Sequence, residues 1–204
     1  MNDKLHYERE LLSRGYKYIA GVDEVGRGPL AGPVVAACVI MDLQKIVEGV
    51  DDSKKLSEKK RERLLGEIKN GAVCYCVGVV DEREIDRINI LNATKKAMAE
   101  AINSMEIAPD YILCDAIDSL DITQEIMGIV KGDSLSYSIG AASIIAKQTR
   151  DSMMIDYAEI YPEYGFERHK GYGTAQHRKA LVEYGPCAIH RATFIRKILG
   201  KADG

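Results

Sequence analysis

No stretch of the 204-residue chain comes near the ~18 consecutive apolar residues that a membrane span needs. The opening MNDKLHYERELL mixes charges and lacks the apolar centre of a signal peptide. The expected location is therefore the cytoplasm, with no membrane contact. Five cysteines, Cys38, Cys74, Cys76, Cys114 and Cys187, form no C-x-x-C pair, which argues against a zinc framework and favours reduced, buried thiols over disulfides. G-x-S-x-G, a P-loop and H-E-x-x-H are all absent, which removes the common hydrolase elbow, nucleotide cradle and zinc-protease helix. His6, His169, His177 and His190 show no pairing that suggests a triad, and surface or phosphate-contact roles are expected for them. There is no internal repeat or low-complexity tract. What remains is one main domain of ordinary composition, 46% hydrophobic and 29% charged.

A net charge of −3 argues against a nucleic-acid partner until it is mapped along the chain. From Gly165 onward there are eight Lys or Arg against three Asp or Glu, and before it twenty against twenty-eight. A second basic cluster, Lys54, Lys55, Lys59, Lys60, Arg61 and Arg63, lies inside the acidic part. Basic patches beside an acidic centre suit a phosphodiester enzyme, in which cations hold the backbone and carboxylates hold metal. Solvated helix faces carry similar runs, so the acids must decide.

The stretch at 18–32, YIAGVDEVGRGPLAG, carries the strongest signal. An apolar run delivers Asp23 and Glu24 and is broken at once by Gly26, Arg27, Gly28 and Pro29, so it reads as a strand ending in acid. Desolvating a carboxylate costs several kcal/mol unless a cation or donors compensate it. Successive strand residues point to opposite faces. Convergence of Asp23 and Glu24 therefore requires a distorted strand, which the following glycines would permit. The plain alternative is a strand running out into a polar turn.

Hydrophobic periodicity gives the remaining elements. Helices are expected over 3–14 (capped by Asn2 or Asp3), 57–69 (capped by Ser57), 81–88, 92–105, 137–160, 175–184 and 193–199. Strands are expected over 17–24, 33–41, 72–80, 111–114 and 125–130, and residues 161–174 form a Tyr- and Gly-rich loop. This order points to a mixed α/β sheet layered with helices. Three of the strands end in acid: Asp23 with Glu24, Asp115, and Asp133 just beyond the fifth. Side by side, they would gather four carboxylates at one sheet edge, a donor set suited to two Mg²⁺ or Mn²⁺ ions in phosphodiester hydrolysis. Taken singly, Asp133 reads as a helix cap, and Asp115 competes with Asp118 and Asp121.

Two further patterns bear on function. Gly26, Gly28 and Ala31 fit the dinucleotide pattern G-x-G-x-x-A, but that motif needs a helix after its glycines, whereas Pro33, Val34 and Val35 open a strand. Tyr161, Tyr164 and Tyr172 stand near Arg168, His169 and Lys170, where rings among cations either stack on sugars and bases or cover the core.

Over most of its length the chain resembles the ribonuclease HII family, the type 2 ribonucleases H. The resemblance is carried by GVDEVGRGPLAGPVVAA at 21–37, DSKKLS at 52–57, LCDAIDSL at 113–120, KGDSLSYSIGAASIIAKQTRD at 131–151 and HKGYGT at 169–174. It implies a ribonuclease H-like fold: a central five-stranded mixed sheet flanked by helices, in a catalytic part over 1–160. A helical C-terminal extension over 161–204 would clamp the substrate. By motif position the family's metal-binding, catalytic acids fall on Asp23, Glu24, Asp115 and Asp133. Its segment that recognises the ribonucleotide 2′-OH falls on Gly26, Arg27 and Gly28, its sugar-stacking tyrosine on Tyr172, and a phosphate contact on Lys54.

The implied activity is metal-dependent endonucleolytic hydrolysis of the RNA strand of RNA/DNA hybrids. It includes nicking 5′ of a single ribonucleotide embedded in duplex DNA, leaving a 3′-OH and a 5′-phosphate, with two Mg²⁺ or Mn²⁺ ions. A monomer is expected. The sister family ribonuclease HIII usually carries an added N-terminal substrate-binding domain, for which 24 residues before Val25 leave no room.

Overall fold

The computed structural model describes residues 3–200. Its elements in chain order are α1 (His6–Ser13), β1 (Ile19–Val25), β2 (Val34–Met41), α2 (Glu58–Gly71), β3 (Ala72–Val80), α3 (Glu82–Ile88), α4 (Ile90–Asn103), β4 (Tyr111–Asp115) and β5 (Glu125–Ile129). They continue with α5 (Gly132–Leu135), α6 (Tyr137–Ile160), α7 (Phe166–His169), α8 (Ala175–Tyr184) and α9 (Ala192–Leu199), with single 3₁₀ turns at Ser53–Lys55 and Pro162–Tyr164. The five strands form one sheet in the order β3-β2-β1-β4-β5. β1 pairs antiparallel with β2 and parallel with β4, so the sheet is mixed, as expected.

β2 explains why its sequence does not alternate: it is buried on both faces. Val34, Ala36 and Cys38 pack beneath α4 with Ala97, Met98 and Ala101. Ala37, Val39 and Met41 pack beneath α6 with Ala141, Ile144 and Ile145. The period of two that sorts these residues also sorts the ends of the neighbouring strands. α6 lies so close to β1 that a Cβ on Gly21 would overlap the Ser138 carbonyl and the Ile139 nitrogen, and glycine is what lets helix and strand backbones meet there. Buried Glu8 of α1 holds the start of α6: its Oε1 accepts from Ser136 Oγ at 2.7 Å and Ser138 N at 2.9 Å.

Most expected elements appear within a residue or two, and the differences have local causes. α1 starts later than position 3, with Asp3 Oδ1 accepting from Leu5 N at 3.1 Å; the alternative cap, Asn2, lies outside the described residues. α4 starts earlier than expected because Asn89, in the left-handed region at φ 68°, caps it through Leu91 N and Asn92 N. Cys38 and Cys114 are buried, the other three cysteines are half-buried, and all five are free. No helix among the described residues is long and apolar enough to cross a membrane.

The expectation for the histidines requires correction. His169, His177 and His190 are buried around Tyr164 and Phe166, not set at the surface. His177 Nδ1 donates to the Tyr172 carbonyl at 3.0 Å, which leaves its Nε2 to accept from His190 Nε2 at 3.0 Å. His190 Nδ1 then accepts from Cys187 N at 3.0 Å. The chain of bonds requires neutral rings, because a second proton on His177 would fall on Nε2 and face the His190 Nε2–H, and one on His190 would fall on Nδ1 and face the Cys187 N–H. Burial accordingly lowers the His177 pKa and takes that of His190 to about 4.

Candidate active site

The parallel ladder of β1 and β4 runs to the pair Val22 and Cys114, so the next residues, Asp23 and Asp115, leave adjacent strands at one level. Gly21 and Leu113, two residues earlier, face α6 through Ser138 and Ile139. The period of two therefore turns both aspartates towards α6, on strands about 4.8 Å apart. Asp133 arrives from the end of β5: Lys131, at φ 59°, turns the chain into α5, and Gly132 N donates to Asp115 Oδ1 at 2.7 Å. Three strand ends thus deliver acid to one edge.

Glu24 reaches that edge differently from the sequence expectation. The ladder of β1 with β2 continues unbroken through Glu24 and Val25, so no distortion turns Asp23 and Glu24 to one face. Glu24 sits on the opposite face at the sheet end, where Arg27 Nη1 stands 3.3 Å from its Oε1. Its Oε2 is buried without a hydrogen-bond partner among the described residues.

The electrostatics are those of crowded, desolvated carboxylates. Asp23 is 3% exposed, and burial, then the charge of Glu24, then that of Asp115 raise its pKa well above the ordinary range. The Ser143 hydroxyl and the Glu24 amide oppose that rise. Burial also raises Glu24, with Arg27 opposing, and it raises Asp133 together with Asp52 and Asp115, with Lys54 opposing. Lys54 Nζ is 3.7 Å from Asp133 Oδ2. Burial would lower the Lys54 pKa, but Asp23, Asp133, Asp52 and Asp115 outweigh it and raise the value. The lysine therefore feels all three aspartates of the strand ends at once.

These residues fit a hard divalent cation on two grounds. The donors are carboxylate oxygens only, the set that Mg²⁺ and Mn²⁺ prefer. Negative charge is also in excess, with one buried oxygen of Glu24 unpartnered. Each acid has otherwise settled on its own partner, and among the described residues no three His, Cys, Asp or Glu side chains already close around one point.

The glycine loop flanks this edge. Gly26 holds φ at 98°, where a Cβ would stand 2.6 Å from the Pro33 carbonyl oxygen, and Arg27 and Gly28 are exposed. A Cβ on Gly28 would stand 3.8 Å from Tyr172 Cε1, so the loop and the Tyr172 ring are neighbours. Tyr172 is exposed, whereas Tyr164 is buried; the two readings of the tyrosines apply to different residues. The 3₁₀ turn carrying Lys54 is pinned by Arg61 Nη1 to the carbonyls of Ser53 (3.2 Å) and Leu56 (2.6 Å) and by Ser53 Oγ against Ser143 Oγ (2.9 Å).

Sequence reasoning missed Asp52 as a fifth acid beside Asp133, although the doublet Asp51-Asp52 ahead of the lysines was a signal for it. It also missed Arg150 and Arg191, both buried. Arg150 donates to the carbonyls of Pro33 (2.9 Å), Ala31 (3.1 Å) and Lys170 (2.9 Å), bridging the glycine loop and the segment before Tyr172. Nothing local marks an arginine for burial, since its acceptors are backbone atoms far along the chain.

Comparison with known proteins bears on the family and the fold. The family model described as Ribonuclease HII matches residues 20–197. A ribonuclease HII of Ruminiclostridium cellulolyticum is 53% identical over 195 residues, covering 96% of this chain and 76% of the relative. One from Caldicellulosiruptor saccharolyticus is 52% identical over 192 residues, covering 94% of each. Among solved structures, the ribonuclease H2 from Pyrococcus horikoshii OT3 superposes with a TM-score of 0.77 at 30% identity, covering 92% of this chain and 99% of that one.

Proposed function

The chain belongs to the ribonuclease HII family, a family of nucleases, and from that premise we propose that it nicks duplex DNA on the 5′ side of single embedded ribonucleotides. It also cuts the RNA strand of RNA/DNA hybrids, leaving a 3′-OH and a 5′-phosphate in both cases. Asp23, Glu24, Asp115 and Asp133 would hold two divalent ions, Mg²⁺ or Mn²⁺. Such ions supply an activated water and positive charge at the leaving oxygen.

The chain's own groups do the recognising. The backbone of Gly26, Arg27 and Gly28 offers amide donors to the 2′-OH, the one group that distinguishes RNA from DNA. The Tyr172 ring, beside Gly28, stacks on the next sugar and favours one without a 2′-OH, which selects the RNA-to-DNA step. Lys54 lies at the acid edge on an exposed turn and meets a substrate phosphate. The basic C-terminal segment, 161–204, holds the duplex backbone.

The observation that carries this reading is the meeting of acids from three strand ends around Lys54, next to a loop and an exposed tyrosine. The test is a duplex with one ribonucleotide, incubated with Mg²⁺ and in parallel with Mn²⁺. A single nick 5′ of the ribonucleotide is expected, and an intact strand with both ions would overturn the reading.

A further inference from the structure

Arg191 is buried within the C-terminal segment, and no carboxylate among the described residues is hydrogen-bonded to it. An unpaired buried guanidinium is costly unless dipoles replace the water it has lost. Here five carbonyls do so, and all belong to the glycine loop. Nη2 donates to the oxygens of Gly26 (2.6 Å), Gly32 (2.7 Å) and Pro33 (3.2 Å), Nη1 to those of Arg27 (3.1 Å) and Pro29 (2.9 Å), and Nε also to Gly32 (2.9 Å).

This arrangement fixes a direction. In a trans peptide the carbonyl of one residue and the N–H of the next point opposite ways, and no peptide among the described residues is cis. With the Gly26 and Arg27 carbonyls turned inward onto Arg191, the N–H groups of Arg27 and Gly28 are turned outward. Both residues are exposed, and neither amide has an acceptor among the described residues. The neighbouring amides do not share this freedom: Leu30 N donates to Gly171 O and Gly32 N to Ile189 O, each at 2.8 Å.

The Arg191 backbone is itself anchored. Its N–H donates to Leu30 O at 2.9 Å, and Asp86 of α3 accepts from Ala192 N (2.6 Å) and Thr193 N (3.0 Å) at the start of α9. A residue of the C-terminal extension thus shapes a loop that precedes it by more than 150 positions.

We propose that Arg191 is the positioning residue that aims the Arg27 and Gly28 amides at the ribonucleotide 2′-OH, so that the extension builds the sugar-reading loop as well as holding the duplex. The inference rests on the reading of that loop given above. Lysine keeps the charge but cannot fork to five acceptors, so Arg191→Lys releases the loop while leaving phosphate contacts in place.

The experiment measures affinity by fluorescence anisotropy for two duplexes of one sequence, one all-DNA and one with a single ribonucleotide, with Ca²⁺ replacing Mg²⁺ to prevent cleavage. For the wild-type protein the ribonucleotide should strengthen binding about tenfold, as one well-made hydrogen bond would. In Arg191→Lys that ratio should collapse towards one while all-DNA affinity stays unchanged. Arg191→Gln, which also removes the buried charge, is the second variant and should behave alike. A wild-type ratio of one would overturn the underlying loop reading. A wild-type preference that both folded variants retain would overturn only the role of Arg191. If both variants lose all-DNA binding together with their folded spectra, Arg191 is a residue of the fold, and the proposal is likewise overturned.

Discussion

Asp23→Asn is the perturbation on which the acid edge makes its sharpest statement. Asparagine is nearly isosteric, and its carbonyl oxygen can still accept from Glu24 N, which donates to Asp23 Oδ1 at 2.7 Å. What the substitution removes is charge. Two unit charges about 5 Å apart at an effective dielectric of about 20 repel by about 3 kcal/mol. The buried aspartate either bears that repulsion from its neighbours or holds a proton against neutral solvent. Removing the conflict should stabilise the metal-free protein by about 2 kcal/mol, or ~4–8 °C in Tm for a chain of this size. The sign also sets a pH dependence. A carboxyl whose folded-state pKa is raised keeps its proton better in the folded state. The contribution of Asp23 to metal-free stability should therefore fall as pH rises above the ordinary carboxylate value of about 4, so the gain of the variant over the wild type should grow with pH. Adding Mg²⁺ at about 100 times its dissociation constant should stabilise the wild type by about 2.7 kcal/mol and the variant far less. Calorimetry at several pH values, with and without Mg²⁺, reads all three quantities. A metal-free variant no more stable than wild type at neutral pH would refute the electrostatic argument, and an undiminished Mg²⁺ response would refute the ligand assignment.

Other perturbations test other parts of the molecule. Gly21→Ala must push α6 off β1, because the new methyl overlaps helix backbone, and a loss of about 3 kcal/mol or more is expected in urea unfolding; a change within error would show that the two elements part easily. His190 carries a folded-state pKa of about 4 against an ordinary 6.5, so its contribution to stability is present above pH ~6.5 and is lost as pH falls towards ~4. Replacing it with Gln should flatten that acid limb in unfolding midpoints taken across this range, and an unchanged slope would remove the neutral-ring reading. Tyr172→Ala should slow nicking at a single embedded ribonucleotide more than cleavage of a long hybrid, and equal losses in kcat/KM on both substrates would reject its role at the junction.

The gathering of acids at one sheet edge was legible because acids at strand ends are a local signal. An apolar β-run halted by Asp or Glu and then by glycine identified Asp23 and Glu24, and the same reasoning preferred Asp115 over Asp118. Boundaries were best where one pattern acts alone: the expected spans 72–80, 137–160 and 175–184 coincide with β3, α6 and α8. They slipped where a polar side chain competes for the helix start, as Asn89 does for α4. The unbroken β1 ladder at Glu24 was not legible, because whether a strand bends at its end depends on the partner strand it is paired with.

The amino-acid order alone determined where each strand and helix forms and which residue types stand at their ends, since periodicity, caps and turn glycines act over a few positions. Only the tertiary structure decided which polar side chains are taken out of water. Glu8, Arg150, Arg191 and the three histidines of the C-terminal segment read as surface residues in any local window, yet all are buried. Burying a polar group is costly unless hydrogen bonds replace the water it has lost. For Glu8, Arg150 and Arg191 the groups that meet them lie more than a hundred residues away, apart from the Lys170 carbonyl on Arg150. Those partners exist only once the sheet has ordered its strands and the C-terminal helices have docked.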